Sequence, residues 1–333
     1  MRGTLLTLLL MLLLPGVVLS AAVVGIMAYF LARPPRMTDG KAAWLLKRLS
    51  PGDLNLPFEE LRLTVRDERN RPLDIAAWWI PCAASTKCAV LLHGYADAKV
   101  GAIAWAPVWH ALGYHLLVPD LRAHGESGGT CCTGGFFERH DVSQVIDLMR
   151  ERKPNAMRQV VLFGASSGAA VAAAVAAQRD DIAAVVMESP YADFRHAALA
   201  HMNQLGLPGR VFQVLAVRLA EWATGARYDD VRPVDLIRRA DCPLLVIESG
   251  RDALVSAEDR AAIEAAVDGR RPTAGAAELW RVEGAEHLLA LAADPEAYRD
   301  RLQRFLAYQA NDDRRYAGSR SNREYSGELG GGP

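Results

Sequence analysis

A serine in the pattern Gly-x-Ser-x-Gly can act as a nucleophile. Residues 164–168 read Gly-Ala-Ser-Ser-Gly, with Ser166 at the centre. An apolar run, 160–163, precedes the motif and an alanine-rich run, 169–178, follows it, which predicts a strand, a sharp turn and a helix. A Cβ at either flanking glycine is expected to collide with the neighbouring strand or helix. The turn would place the serine Oγ at a helix N-terminus, which favours a developing anion. In a purely structural turn, Ser166 would be a bystander.

A serine nucleophile needs a histidine base, and the base needs an acid that orients it. The chain has eight histidines, of which His287 follows the last predicted strand, while Asp252 follows the strand before it. Catalytic groups of a parallel sheet collect at these carboxyl ends. The chain order Ser166, Asp252, His287 is the order expected with such a turn. Asp252 could instead be only a turn or helix-capping residue, and Glu188 is an alternative acid. We favour Asp252, since its strand is closer in sequence to His287.

An oxyanion in the reaction would need two N–H donors. The backbone N–H of Ser167, directly after the candidate nucleophile, is expected to be one. The backbone N–H of Tyr95, in the loop after the third predicted strand, is the candidate for the other. His93 is expected to shape this loop, although it is also an alternative base. Residues 120–127 (DLRAHGES) follow the fourth predicted strand, and their polar side chains are expected to brace the loops beneath the site. No carboxylate or histidine lies nearby at a spacing that would support a metal site.

Apolar strands alternate with helices through most of the chain, which predicts a parallel sheet with helices on both faces. Eight strands are predicted, the first two as an antiparallel hairpin: 61–65, 73–80, 88–92, 114–118, 160–163, 182–187, 243–248 and 279–282. Helices are predicted at 42–49, 100–112, 138–152, 169–178, 257–267 and 295–309. Residues 191–240 contain no clear strand. We interpret them as a small helical cap over the site, with packing helices at the sheet edge as the alternative.

The amino-terminal segment 4–32 contains no charged residue over 29 positions. A helix of about 20 residues spans a bilayer core, whereas the apolar core of a signal peptide has only about 7–15. We therefore predict one transmembrane anchor, with a signal peptide ending near the small residues 20–22 as the alternative. Basic residues after the segment favour a cytoplasmic catalytic domain. The predicted division is an anchor (1–33), a juxtamembrane linker (34–57), a catalytic domain (58–310, with the cap at 191–240) and a disordered tail (311–333).

Charge and cysteine content argue against several classes of protein. The net charge is −1 over 333 residues and no basic run is present, so no nucleic-acid partner is expected. Five cysteines do not make a disulfide framework. Reduced thiols near the surface are expected, although Cys82 and Cys88 could pair in an oxidising compartment and the adjacent Cys131 and Cys132 could bind a soft metal or form a strained bridge. The sequence contains no cofactor motif, phosphate loop or metal cluster.

Taken together, the motifs resemble the α/β-hydrolase superfamily, whose pattern they follow in order over residues 58–309. The matching pieces are 92–95 (LHGY), 120–127, 164–168, 250–252 (GRD) and 286–287 (EH). Within the superfamily the chain resembles the membrane-anchored, serine-peptidase-like hydrolases related to Bem46 and the α/β-hydrolase-domain proteins, which carry a segment similar to 134–141 (GGFFERHD). Many relatives carry a larger residue where this chain has Ser167, so the pocket wall is expected to be smaller and more polar here.

The resemblance implies an α/β-hydrolase fold and cleavage of a carboxylic ester, thioester or amide through an acyl-serine, without a cofactor. It places Ser166, Asp252 and His287 in the triad positions, and Tyr95 and Ser167 at the oxyanion. The expected partners are a membrane and a small acyl ester, thioester or lipid-like substrate. Two alternatives stay open: transfer of the acyl group to an acceptor other than water, and a non-catalytic member that only binds. The complete triad argues against the second.

Overall fold

The fold is built on one eight-stranded sheet, seen in a computed structural model that describes residues 2–207, 209–271 and 275–307. The strands are β1 (Glu59–Arg66), β2 (Pro72–Ile80), β3 (Lys87–Leu92), β4 (His115–Pro119), β5 (Gln159–Ala165), β6 (Ile182–Glu188), β7 (Leu244–Ser249) and β8 (Ala277–Val282). Their order across the sheet is β1-β2-β4-β3-β5-β6-β7-β8. β2 runs antiparallel to β1 and β4, and all other neighbours are parallel. The predicted mostly parallel sheet is confirmed.

The burial of each strand follows its place in the sheet. β1 lies at the edge and alternates, with Leu63 and Val65 buried between exposed residues, as expected when only one face is covered. The central strands β3, β5 and β7 are buried over nearly their whole length. A strand covered on both faces needs such a continuous apolar run. Two of these strands lead to the candidate site, since Ser166 directly follows β5 and Asp252 lies just after β7.

Helices cover both faces of the sheet. They are α1 (Arg2–Ala32), α2 (Asp39–Leu46), α3 (Lys99–Ala102), α4 (Ala106–Ala111), α5 (Glu138–Arg152), α6 (Ser167–Ala176), α7 (Phe194–Gln204), α8 (Arg210–Thr224), α9 (Pro233–Arg239), α10 (Ala257–Asp268), α11 (Ala290–Ala293) and α12 (295–307). Residues of α2, α3, α4 and α12 share one apolar core. Residues of α1, α5, α6, α8, α9 and α10 share the other.

The prediction of a single helix at 100–112 is wrong in one respect, because the structure has two helices there, α3 and α4. Pro107 stands at the start of α4. A proline inside a helix lacks the N–H for the helical hydrogen bond, and its ring clashes with the carbonyl four residues earlier. In the first turn neither problem arises. The chain therefore ends one helix and begins another with the proline in its first turn.

The amino-terminal helix α1 continues through Pro15 and packs along the cap helix α8. Its segment Leu13–Ala32 is long and apolar enough to cross a membrane, and a signal sequence would meet the same criteria. The end of α1 belongs to the domain core, since Met27, Ala28 and Ala32 are buried there. The predicted tail at 311–333 and the last residues of the predicted helix 295–309 lie outside the described residues.

Candidate active site

Ser166 occupies a sharp turn between β5 and α6. Its backbone has φ 53° and ψ −115°, a region that non-glycine residues rarely adopt, and its N–H donates to the carbonyl of Glu188 at 2.9 Å. A Cβ at Gly164 would lie 2.2 Å from the carbonyl oxygen of Gly168, and a Cβ at Gly168 would lie 2.3 Å from that of Leu92. The expected collision at both glycines is thus present in the fold. Strand and helix can meet this closely only because the two residues lack side chains.

Asp252 and His287 are joined by a short hydrogen bond. The distance from His287 Nδ1 to Asp252 Oδ2 is 2.6 Å. The side chain of His287 is 19% exposed, and that of Asp252 is 2% exposed. Asp252 Oδ1 accepts from the backbone N–H groups of Leu254 and Val255 at 2.8 and 3.0 Å. Burial raises the pKa of Asp252, but His287 and the two N–H groups outweigh it, so the pKa lies below its ordinary value. The carboxylate is thus held ionised and can orient the imidazole.

Glu188, the alternative acid, is engaged elsewhere. Its Oε2 accepts from Trp105 Nε1 at 2.8 Å and from the hydroxyl of Tyr298 at 2.6 Å. The side chain is fully buried, and burial raises its pKa from 4.5 to about 7. The geometry therefore favours Asp252 over Glu188 as the partner of His287, and Glu188 forms part of the packing beneath the Ser166 turn.

The raised pKa of Glu188 predicts a pH-dependent stability. A carboxyl group with a higher pKa in the folded state contributes stability that is complete below its unfolded pKa, 4.5, and is lost as pH rises through about 7. Urea unfolding of the wild type should therefore give a falling free energy of unfolding between pH 5 and 8. Glu188→Gln should remove part of that fall. If the free energy of unfolding depended on pH equally in the two proteins, the raised pKa of Glu188 would be contradicted.

The two predicted oxyanion donors lie beside Ser166. Ser167 begins α6, so its N–H is among the first four of the helix, which have no acceptor within it. The loop that carries Tyr95 passes close to the nucleophile, because a Cβ at Gly94 would lie 3.5 Å from the Cβ of Ser166. Ser166, Ser167, Tyr95 and His287 all line one cavity. The structure thus brings the predicted residues together, and Asp252 lies directly behind His287.

The cavity over these residues has a volume of about 320 Å³, at the small end of the usual range for ligand pockets. The described lining residues include no Lys or Arg, and most of them are apolar: Leu31, Gly94, Tyr95, Asp97, Ser166, Ser167, Tyr191, Phe194, Ala197, Ala198, His201, Leu254, Val255, His287 and Leu288. Several belong to α7, so this part of the predicted cap, 191–240, lines the cavity beside Ser166. Sequence reasoning missed the individual cap residues and Leu31, for which the sequence carries no local signal.

The segment 120–127 braces the site from below. Asp120 accepts from the ammonium of Lys99 at 2.9 Å in a buried ion pair. His93 Nδ1 donates to the carbonyl of Gly94, and its Nε2 accepts from the N–H of Leu121 at 2.9 Å. Burial lowers the pKa of His93. Because both ring nitrogens are occupied, His93 is not available as a base, and its predicted role in shaping the loop fits this geometry.

All five cysteines lie in the described part of the chain and are free thiols. The expectation that they lie near the surface was wrong for three of them, since Cys88, Cys132 and Cys242 are buried. Cys88 belongs to the central strand β3 and packs in the core, and it forms no disulfide with Cys82. Among the described residues, His, Cys, Asp and Glu side chains form no group of three that could hold a metal ion.

Comparisons with known proteins agree with this architecture. Residues 83–232, just under half of the chain, match the family described as Serine aminopeptidase, S33. The uncharacterised protein YqkD of Bacillus subtilis is 25% identical over 220 residues, which cover 65% of this chain and 70% of YqkD. Lysophosphatidylserine lipase ABHD12 of Mus musculus is 29% identical over 188 residues, which cover 54% of this chain and 45% of the lipase.

Among solved structures, esterase Pf2001 of Pyrococcus furiosus superimposes with a TM-score of 0.65 at 23% identity. The superposition covers 83% of this chain and 98% of the esterase. At this identity the likeness establishes the fold. Together with the sequence relatives, it establishes an α/β-hydrolase fold and supports a hydrolase activity.

Proposed function

We propose that the chain is a serine hydrolase that cleaves a carboxylic ester, thioester or amide through an acyl-serine. The Ser166 Oγ attacks the acyl carbon while His287 takes the hydroxyl proton. The resulting oxyanion accepts from the N–H groups of Tyr95 and Ser167. Its collapse breaks the bond to the leaving group, which receives the proton from His287. Water then attacks the acyl-serine, His287 transfers the water proton to Ser166, and the acid product leaves.

The observation that carries this proposal is the 2.6 Å hydrogen bond between Asp252 and His287, beside the cavity that Ser166 lines. The bond uses Nδ1 of His287 and leaves Nε2 for the serine proton, as a base requires. Asp252 would stabilise the imidazolium formed in each step. The backbone of Ser166 supports the same role, because its strained conformation is typical of nucleophile turns.

The direct test is hydrolysis by the full-length protein in detergent, with p-nitrophenyl acetate and butyrate as substrates. The proposal predicts release of free carboxylic acid, one per nitrophenol. Adding an alcohol or an amine tests the transferase alternative: formation of a new ester or amide at the expense of free acid would replace hydrolysis by transfer. A folded protein without turnover on ester, thioester or anilide substrates would overturn the proposal.

The cavity and the amino-terminal helix favour an uncharged acyl group presented by a membrane. A buried cation is the usual partner of an anionic head group, and the described cavity lining contains Asp97 but no Lys or Arg. The acyl group would therefore enter the cavity and any anionic head group would stay outside. We propose that α1 anchors the chain in the membrane and that its last turn, which packs in the core, already belongs to the catalytic domain. The linker at 34–57 and the cap at 191–240 remain part of the proposal.

The outer face of the cap supports a membrane location. Val211, Leu215 and Trp222 recur on one side of α8 and are 71%, 48% and 80% exposed. Arg218 lies on the same face, and α8 packs along the apolar helix α1. Tryptophan and arginine beside aliphatic residues are typical of a helix at a membrane interface. We infer that this face of α8 rests on the bilayer that holds α1.

Replacing Trp222 with serine should weaken this contact. We expect the rate on a long-chain acyl ester presented in phosphatidylcholine vesicles to fall about tenfold, because the indole would no longer be buried in the interface. The rate on soluble p-nitrophenyl acetate should not change. Trp44→Ser is the matched control, since Trp44 is 64% exposed on α2, which packs on α3. Equal losses on the two substrates, or equal effects of the two variants, would contradict the membrane contact.

A further inference from the structure

The carboxyl end of α1 is capped by groups from the catalytic domain. The last four carbonyls of a helix have no partner within it. The hydroxyl of Tyr95 donates to the carbonyl of Phe30 at 2.7 Å, and the backbone N–H of Cys132 donates to the carbonyl of Ala32 at 2.8 Å. Tyr95 belongs to the loop that passes beside Ser166. The end of the apolar helix is therefore tied directly to the proposed oxyanion loop.

Packing holds the same turn of α1 in place. Met27, Ala28 and Ala32 are buried in the domain core, whereas Leu19, eight residues before Met27, is 66% exposed. Just after the helix, Arg36 donates from its guanidinium to four backbone carbonyls of the segment 124–129 at 2.6–3.1 Å. The junction between α1 and the domain is thus a packed, hydrogen-bonded contact on both sides of residue 33.

Between these fixed points, Leu31 lines the cavity that contains Ser166 and His287. It lies among cap residues such as Phe194 and His201, so the wall of the cavity is made in part by α1. An apolar side chain at this place limits the space left for an acyl group. A helix that served only as an anchor would have no residue in the cavity.

We propose that the last turn of α1 is a working part of the active site. Leu31 sets the size of acyl group that the cavity accepts, and the carbonyl of Phe30 positions the oxyanion loop through the hydroxyl of Tyr95. The inference rests on the proposed serine hydrolase and goes beyond membrane anchoring. It holds for an uncleaved anchor and equally for cleavage near residues 20–22, since both leave Leu31 in the mature chain.

The test compares alkyl fluorophosphonates with a short and a long alkyl chain on the full-length protein. Leu31→Trp fills the cavity, so we expect the labelling rate of the long-chain probe to fall by about tenfold or more relative to that of the short-chain probe. Leu31→Ala should raise the labelling rate of the long-chain probe relative to that of the short-chain probe. Leu19→Trp, the same substitution on an exposed face of α1, should leave the ratio as in the wild type. Labelling by the short-chain probe verifies that each variant is folded.

Tyr95→Phe tests the positioning contact separately. The backbone N–H remains and only the hydroxyl is lost, so labelling by both probes should slow about three- to tenfold, the effect expected of one hydrogen bond, with an unchanged ratio. If both Leu31 variants kept the selectivity of the wild type, Leu31 would not set the size of the acyl group. If Tyr95→Phe were labelled at the wild-type rate, the hydrogen bond to Phe30 would not position the oxyanion loop. Failure of the proposed function is distinguishable, because the wild type itself would then not be labelled by either probe.

Discussion

Replacing Ser166 with alanine should lower kcat for short acyl esters by about 10⁴–10⁶-fold. The variant keeps the cavity and the N–H groups that face the oxyanion, but it has no oxygen to form the acyl intermediate. Residual catalysis would come only from substrate binding and oxyanion stabilisation. The measurement is the steady-state rate of p-nitrophenyl butyrate hydrolysis by purified full-length protein, with wild type and variant at equal concentration.

Ser167→Ala provides the matched control, since the two serines are adjacent in the same turn. Ser167 is proposed to act through its backbone N–H, which alanine retains, so the loss should stay within about tenfold. Thermal unfolding of both variants verifies that they are folded. Hydrolysis at the wild-type rate by folded Ser166→Ala protein would exclude Ser166 as the nucleophile, and an equally large loss in Ser167→Ala would point to damage of the turn.

The second large effect is expected for Asp252→Asn, which should lower kcat about 10⁴-fold. An asparagine can offer its NH₂ group to His287 Nδ1, which favours the tautomer with the proton on Nε2. That imidazole cannot accept the proton of Ser166. Because asparagine nearly matches aspartate in shape, the backbone hydrogen bonds from Leu254 and Val255 can persist, and the fold should be retained.

Glu188→Gln makes the same chemical change at the other candidate acid. Glu188 accepts from Trp105 and Tyr298, so its neutralisation should alter stability with pH and change kcat by less than about tenfold. Comparable losses in the two variants would mean that the packing below the turn matters as much as the orientation of His287. A large loss in Glu188→Gln alone would reverse the assignment of the acid.

Much of the fold could be predicted because its signals are local. Each central strand is a short apolar run, and each turn at the site contains glycine or a polar residue that the backbone requires there. The 164–168 motif is the strongest example, since collisions at both glycines follow from the close approach of β5, α6 and β3. The division of 100–112 into two helices also has a local cause, Pro107, but the length of the apolar run favoured a single helix.

The remaining features depend on contacts between distant residues. Glu188 ends β6 and Asp252 lies just after β7, and only the folded chain shows which one bonds His287. The end of α1 was harder still, because apolar residues suit a bilayer and a protein core equally well. The sequence therefore predicted an anchor for the whole segment 4–32, while Leu31 lies in the cavity. The cap shows the same limit, since helical spacing does not specify what a helix covers.

The central claim, an activated nucleophile at position 166, is tested most directly by labelling the purified full-length protein with a fluorophosphonate probe and mapping the modified peptide. We predict that the wild type is labelled at Ser166 alone and that Ser166→Ala is not labelled. Labelling at another residue, or equal labelling of the variant, would contradict the claim. A folded wild type that no such probe labels would also contradict it and would favour a binding protein with the same fold.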